Sequence, residues 1–148
     1  LLAEFFHLAF DFQVVDAVWE ELQRHQASLQ PYVETGRLAI VREAVDLMEI
    51  LEIRRQRNQL SIPDCTALLY AKRQKSILLT SDKNLRTTAG QHKIEVRGHL
   101  WVFDNLVDTG IIAKQEAAGK LHELSNKVNP KLGLPKNELE VRMKTWLP

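Results

Sequence analysis

One stretch of the sequence, from Ser61 to Arg86, constrains the fold of this chain more than any other. Its residues predict a helix that opens at Asp64, followed by a short buried strand at residues 77–79. Asp82 comes shortly after that strand. Because open α/β sheets carry their sites at the carboxyl ends of their strands, the two carboxylates are expected at one end of a sheet.

Further strand candidates alternate with helical segments along the chain. Residues 12–15 and 94–96 are short strand candidates, and residues 38–41 are apolar throughout, which predicts a strand buried on both faces. This alternation favours an α/β fold, built on a small parallel β-sheet flanked by helices. A length of 148 residues fits a single domain over residues 1–148, with extra C-terminal helices from about residue 111 onward.

Local signals indicate where several helices begin and end. Asp16 is a candidate N-cap for a helix over residues 17–25. Glu20 and Glu21 would lie near the start of this helix, where acidic side chains interact favourably with the helix dipole. Residues 31–36 contain a proline and a glycine, which predict a turn region.

Apolar spacing predicts the remaining helices. The pattern i, i+3, i+4, i+7 indicates an amphipathic helix whose apolar face is formed by Ala44, Leu47, Met48 and Leu51. A short helix over residues 83–89 is expected to end with Gly90 as its C-cap residue. Similar apolar stripes predict two helices near the C-terminus, one around Leu121 and one around Met143.

Charge is unevenly distributed, although the net charge is only +1. Residues 1–50 carry three Arg and nine acids (net −6), residues 51–100 carry ten Lys or Arg and four acids (net +6), and residues 101–148 have a net charge of +1. The basic third therefore contains Asp64 and Asp82. Positive charge around a carboxylate pair would suit a phosphate-bearing substrate. Basic side chains that only solvate helix surfaces would explain the same distribution.

Cysteine and histidine usage excludes other kinds of site. The single cysteine, Cys65, cannot form an internal disulfide, so a reducing compartment such as the cytoplasm is expected. The five histidines lack metal-ligand spacing, which argues against a zinc site. There is no glycine-rich phosphate loop and no Gly-x-Ser-x-Gly elbow. Because Glu4 and Asp11 interrupt the first apolar residues, neither a signal peptide nor a membrane span is expected.

Each aspartate of the Ser61–Arg86 stretch has a structural explanation as well as a functional one. Ser61 and Asp64 match the Ser-x-x-acid capping box, so Asp64 could serve only to cap its helix. Asp82 is likewise a suitable N-cap for the helix that follows it. An aspartate at a strand end can, however, cap a helix and also face a ligand. A cluster of acids that holds Mg²⁺ or Mn²⁺ is the one catalytic device that these residues could build.

Three segments carry a resemblance to a known family. They read LSIPDCTAL at residues 60–68, LLTSDKNLR at residues 78–86 and VDAVWEEL at residues 15–22. Together they resemble the PIN-domain family of metal-dependent ribonucleases, and the segments around Gly98 and Gly110 are similar to a prokaryotic branch of nucleic-acid-binding PIN proteins. The resemblance covers about residues 1–125. It implies a PIN-like three-layer α/β/α fold.

The resemblance also implies roles for individual residues. The metal-site carboxylates would be Asp64, Asp82 and Glu21, with Glu20 as the other possible register for the last of them. Supporting groups would come from Thr80, Ser81 and Asn84, and phosphate-binding side chains from Lys83 and Arg86. Asn84 stands where many family members carry a further acid. The family's first aspartate ends a strand that would precede Leu1, so this N-terminal strand is expected to be missing from the sequence.

Two functional hypotheses follow from the residues and the resemblance. The first is a metal-dependent endoribonuclease that acts on single-stranded RNA with Mg²⁺ or Mn²⁺, and that could be the toxin of a toxin–antitoxin pair with an antitoxin protein as its partner. Members of the family often form homodimers. The second hypothesis is a non-catalytic RNA-binding or protein-interaction module on a degenerate PIN fold, motivated by Asn84 and the missing first aspartate.

Overall fold

The chain forms two compact units, one of residues Ala9–Arg97 and one of Leu1–Leu8 with Gly98–Pro148. The structure is a computed structural model that describes residues 1–44, 46–57, 59–128, 131 and 133–147. All the strands found in these residues, and all the candidate site residues, lie in the unit Ala9–Arg97. The prediction of an α/β fold with parallel strands and additional C-terminal helices is confirmed.

Four short strands in the described residues form two parallel pairs. Strand β1 (Phe12–Val15) pairs with β2 (Leu38–Val41), and β3 (Leu78–Leu79) pairs with β4 (Val96–Arg97). The first two strands have the predicted bounds. The prediction that β2 is buried on both faces is wrong, because only Leu38 is buried and the remaining residues of the strand are partly or fully exposed.

The helices occupy most of the chain. In chain order, those in the described residues are α1 (Leu2–His7), α2 (Asp16–Glu21), α3 (Gln26–Glu34), α4 (Leu47–Gln56), α5 (Ile62–Gln74), α6 (Lys83–Gln91), α7 (His99–Asp108), α8 (Lys114–Glu123) and α9 (Lys136–Trp146). A 3₁₀ turn at Gln23–His25 follows α2, and a π-helical turn at Leu124–Val128 follows α8. Among the described residues, even the longest helix, α5, is shorter than the roughly 20 apolar residues that a membrane span requires.

Helix α5 is the centre of the unit Ala9–Arg97. It contacts β1, β3 and the helices α2, α4 and α6. Its inner side chains Cys65 and Leu68 are fully buried, and the cluster around them includes Ile50, Leu60 and Leu85. Since burying a large aliphatic side chain contributes about 1.5–3 kcal/mol, this cluster stabilises the packing of α5 against its neighbours.

The predicted apolar face of α4 is wrong. The side chains that face the core are Ile50 and Ile53, at 2% and 4% exposure, whereas Leu47, Met48 and Leu51 are exposed. The helix has apolar residues on two sides, and packing against α5 selects the isoleucine side. The sequence period alone does not distinguish these two faces.

Other helix boundaries also differ from the prediction. Val15 rather than Asp16 is the N-cap of α2, and the helix ends at Glu21, so Glu20 and Glu21 lie in its last turn instead of its first. The predicted turn at residues 31–36 begins only at Thr35, because Pro31 is accommodated inside α3. Similarly, α6 continues through Gly90 and ends at Gln91.

The second unit contains helices and no strand among its described residues. Helix α7 contacts α1 and α8, and α8 contacts α9. Phe103, Leu106 and Leu121 are fully buried, and Leu121 lies on an apolar stripe that the sequence predicts. Between α9 and α7, the Arg142 guanidinium donates to both carboxylate oxygens of Asp104, over 2.8 and 2.5 Å. This bidentate ion pair stabilises the packing of α9 against α7.

Candidate metal centre

Asp64 lies in the first turn of α5, within a complete capping box. The Asp64 N–H donates to Ser61 Oγ over 3.2 Å, and the Ser61 N–H donates to Asp64 Oδ2 over 3.2 Å. The reciprocal bonds satisfy two backbone donors that a helix start otherwise leaves unpaired. The predicted capping box is confirmed, and it holds the half-buried Asp64 carboxylate in a defined position.

Asp82 lies directly after β3 and caps α6. Its Oδ1 accepts a hydrogen bond from the Leu85 N–H over 2.7 Å, which confirms the predicted N-cap. Thr80 supports the turn between strand and helix, since its Oγ1 accepts from the Asp82 N–H over 3.2 Å. The Thr80 N–H in turn donates to the Arg97 carbonyl of β4. The Asp82 backbone is therefore fixed to the sheet through Thr80.

The connection between α5 and β3 relates the two aspartates. Only three residues, 75–77, join the end of α5 to the start of β3, and the two elements are in contact. A link this short forces the strand to run back along the helix. The 13 residues of α5 span about 20 Å, and the six residues from 77 to 82 can span about 20 Å as well if they are extended. From this topology we infer that the Thr80–Asp82 turn lies towards the end of the unit where α5 begins, which is the end that carries Asp64.

The polar residues after Asp82 have distinct surroundings. Arg86 is half-buried, and one of its guanidinium nitrogens donates to the Thr80 carbonyl over 3.0 Å. This hydrogen bond stabilises the backbone directly after β3. Lys83 is exposed at the first position of α6. Asn84 is half-buried, and its carbonyl accepts from the buried Thr88 hydroxyl. Ser81 is half-buried between Thr80 and Asp82.

Glu21 is not fixed in the way that the two aspartates are. It ends α2, is exposed, and makes no hydrogen bond or ion pair with the part of the chain that the structure describes. Glu20 is exposed as well. Helix α2 contacts α5, which brings the segment of Glu21 to the same helix as Asp64. Hydrogen bonds thus hold the carboxylates of Asp64 and Asp82 in place, whereas Glu21 lies exposed at the end of its helix.

The aspartates have the chemistry of ligands for a hard cation. Each uses one carboxylate oxygen for its cap, and within the described residues Asp64 Oδ1 and Asp82 Oδ2 have no protein partner. Mg²⁺ prefers such oxygens and is commonly bound by one or two carboxylates, with water and substrate phosphates completing its shell. No group of three His, Cys, Asp or Glu side chains that could hold a metal occurs in the described residues. Asp64 and Asp82 therefore each offer one free carboxylate oxygen, which is the ligand chemistry of a two-carboxylate site.

Arg54 is a basic residue near Asp64 that the sequence pattern does not single out. The Arg54 Nε is buried and lacks a hydrogen-bond partner among the described residues. Burial raises the pKa of the Cys65 thiol, and the neighbouring Asp64 raises this pKa further. The positive charge of Arg54 partly opposes both effects. An arginine therefore lies close to the start of α5. Arg54 is half-buried, and its guanidinium adds positive charge near Asp64.

Another basic residue is unavailable to a substrate. Arg73, near the end of α5, forms ion pairs with Glu43 and Glu49. The hydrogen bond with Glu49 raises the pKa of Arg73 above its ordinary value, and Glu43 adds to the effect. Arg73 therefore links α5 to α4 and to the segment before it. The positive charge of Arg73 is paired within the fold and is not available to bind a phosphate.

Comparison with known proteins gives one family match. Residues 1–130 match the family model described as a PIN domain. No curated protein and no solved structure matches the chain. The matched range includes α5, β3, α6 and every candidate site residue described above.

Proposed function

The chain belongs to the PIN-domain family, which is generally associated with nucleases, and on this premise we propose that it is a metal-dependent endoribonuclease. Its substrate in this proposal is single-stranded RNA, cut by hydrolysis of phosphodiester bonds. The observation that supports the proposal is the three-residue connection between α5 and β3, which are in contact, because this topology favours Asp64 and Asp82 at one end of the unit. A role as the toxin of a toxin–antitoxin pair stays a prediction of the sequence.

Asp64 and Asp82 would hold a Mg²⁺ or Mn²⁺ ion through the oxygens that their caps leave free. When bound, such an ion activates a water molecule and stabilises charge on the phosphate and the leaving group. Glu21 would complete the carboxylate set from the end of α2. The caps orient the two aspartates before any ion arrives, so little conformational entropy remains to be lost on binding.

Thr80 and Arg86 would position the second carboxylate. Thr80 bonds the Asp82 N–H with its hydroxyl, and its own carbonyl accepts from Arg86. This chain of bonds fixes the strand end from which Asp82 projects. Lys83 is exposed beside Asp82 and would bind a phosphate next to the one that is cut, as would the guanidinium nitrogens of Arg86 that do not bond Thr80. Ser81 and Asn84 would support the site from either side of Asp82.

A second candidate function is a non-catalytic module that binds RNA or a protein. The specific observation in its favour is that the described residues hold no cluster of three potential metal ligands. Asn84 also offers an amide where the resemblance implies a further acid. Such a module would keep Lys83 and Arg86 of α6 for contacts with phosphates and lose the hydrolytic step.

The test is cleavage of a labelled single-stranded RNA by the chain with Mg²⁺ or Mn²⁺, compared with the same reaction in EDTA. Asp64→Asn and Asp82→Asn are each expected to reduce cleavage about a hundredfold, since loss of a group that only supports a metal ligand already costs about 10–100-fold. The matched control is Asp108→Asn, which neutralises an exposed aspartate at the end of α7. Undiminished cleavage by both site variants would contradict the proposal. RNA binding that EDTA does not affect, without cleavage, would support the second candidate.

A further inference from the structure

Two lysines of the unit Ala9–Arg97 have a backbone conformation that favours glycine. Lys75 follows α5 with a φ of 52°, and Lys93 follows the end of α6 with a φ of 57°. Among the described residues, these are the two that combine a side chain with a positive φ. A Cβ makes this left-handed conformation strained, which is why glycine usually occupies the position after a helix. The chain therefore has lysine at two positions where glycine would be more stable.

The two lysines occupy equivalent positions in neighbouring parts of the fold. Strands β3 and β4 are parallel, and Leu78 of the first pairs with Val96 of the second. Lys75 lies three residues before Leu78, and Lys93 lies three residues before Val96. The preceding helices α5 and α6 are also in contact. Because paired strands are about 5 Å apart and packed helices about 10 Å apart, the two lysine backbones lie roughly 5–10 Å from each other.

Lys72 adds a third positive charge to the same surface. It lies in the last turn of α5 and is exposed, as Lys75 and Lys93 are. Burial lowers the pKa of His92, and the charge of Lys72 lowers it further, which shows that Lys72 lies near the end of α6. We call Lys72, Lys75 and Lys93 the lysine cluster.

The charges of the lysine cluster are not neutralised within the part of the chain that the structure describes. None of the three lysine side chains forms an ion pair or a hydrogen bond there. Glutamates of the surrounding segments are bound by arginines instead: Glu95 by Arg97 over 2.9 Å, and both Glu43 and Glu49 by Arg73. The negative end of the helix dipole favours a lysine in the last turn of α5, but it does not require the left-handed conformations that follow the two helices.

Backbone strain that no contact within the fold offsets is typical of functional positions. We propose that the lysine cluster binds the phosphate backbone of the RNA substrate, away from the candidate metal centre. Asp64 lies in the first turn of α5 and Lys75 directly after its last turn, so the helix separates them by about 17 Å. The choice of RNA rests on the proposed function, since the charges alone would fit other polyanions. Because phosphate contacts carry no sequence information, the cluster would hold the RNA without selecting its sequence.

The salt dependence of RNA binding tests these phosphate contacts. For single-stranded nucleic acids, the slope of log K against log salt concentration steepens by about 0.7 for each phosphate that a protein neutralises. The double variant Lys75→Gln with Lys93→Gln removes two charges and keeps the backbone strain, because glutamine has a Cβ as lysine does. Its slope, measured by fluorescence anisotropy with a labelled single-stranded RNA in EDTA, should be shallower than that of the original chain by about 1.4. An unchanged slope would overturn the proposal.

The matched control removes two exposed lysines of the other unit. Lys114→Gln with Lys144→Gln changes the net charge by the same amount, at positions on α8 and α9. This control should keep the salt slope of the original chain. An equal loss of slope in both double variants would show that the RNA responds only to net charge, and the proposal would then be wrong.

Glycine at the same two positions separates RNA binding from stability. Lys75→Gly with Lys93→Gly removes the same charges and relieves the strain, so its Tm should be higher than that of the original chain. Its affinity for RNA should fall as far as that of the glutamine pair. A residue that only stabilises the fold would not give this combination of a higher Tm and weaker binding. A lower Tm, or RNA binding as tight as that of the original chain, would contradict the proposal.

Arginine at these positions tests whether positive charge is what the lysines supply. Lys75→Arg with Lys93→Arg keeps both charges and should keep the salt slope, whereas a loss as large as that of the glutamine pair would refute binding by charge. Because binding is measured in EDTA, the result does not depend on hydrolysis. RNA binding through the lysine cluster by a chain that never cleaves RNA with Mg²⁺ or Mn²⁺ would refute the proposed function and support this inference. Cleavage that requires Asp64, together with an unchanged slope in the glutamine pair, would do the reverse.

Discussion

The capping box at the start of α5 allows the structural role of Asp64 to be separated from its proposed catalytic role. Ser61→Ala removes the acceptor of the Asp64 N–H bond and leaves the Asp64 carboxylate in place. Asp64→Asn keeps an oxygen that can accept from the Ser61 N–H and removes the negative charge that a metal would need. We expect the first variant to lose mainly stability and the second to lose mainly activity.

The size of each effect follows from the bonds involved. Replacing an N-cap serine by alanine costs about 1 kcal/mol of the free energy of unfolding. Asp64→Asn keeps its cap bond and loses a partly exposed charge at a helix N-terminus, which is worth about 0.5 kcal/mol. In a chain of this length, 1 kcal/mol corresponds to a fall in Tm of about 2–4 °C. The melting temperature of Ser61→Ala should therefore fall about twice as far as that of Asp64→Asn.

Urea unfolding followed by circular dichroism, together with the RNA cleavage assay, measures both effects on the same samples. The matched control is Ser28→Ala, which makes the same change at an exposed position inside α3 and should not destabilise the fold. The reasoning would be refuted if Asp64→Asn cleaved RNA as well as the original chain while losing as much stability as Ser61→Ala. Asp64 would then be a helix cap and nothing more.

Three further outcomes are expected. Arg142→Met should lower the free energy of unfolding by about 1 kcal/mol, because it leaves the Asp104 carboxylate without its two-pronged partner; an unchanged urea midpoint would contradict this. Burial raises the pKa of the Cys65 thiol, so at mildly alkaline pH this thiol should react with a thiol reagent only as fast as the chain unfolds. Absorbance kinetics with and without urea would measure this rate. Burial lowers the pKa of His92 and His99 below 6.5, so the unfolded chain binds protons more tightly than the folded chain. The free energy of unfolding should therefore fall as the pH drops below about 6.5, and the Tm of His99→Gln should depend less on pH in this range.

The sequence by itself determined the features that depend on neighbouring residues. The capping box of Ser61 and Asp64 and the cap formed by Asp82 each close over three residues, so the pattern of side chains is enough to predict them. The bounds of β1 and β2 were also predicted, because turn residues and polar segments delimit these short apolar runs. The family resemblance rests on the same local segments, and the family match confirms it.

Only the tertiary structure decided which surface of each element is buried. Helix α4 has one apolar side with Leu47 and Leu51 and another with Ile50 and Ile53, and packing against α5 chose the second. Glu21 was predicted at a helix start, but the early end of α2 places it in the last turn. Hydrogen bonds between residues close in sequence can be predicted from that sequence. The choice between two apolar faces depends on the free energy of contacts between residues far apart in the chain, which no local pattern contains.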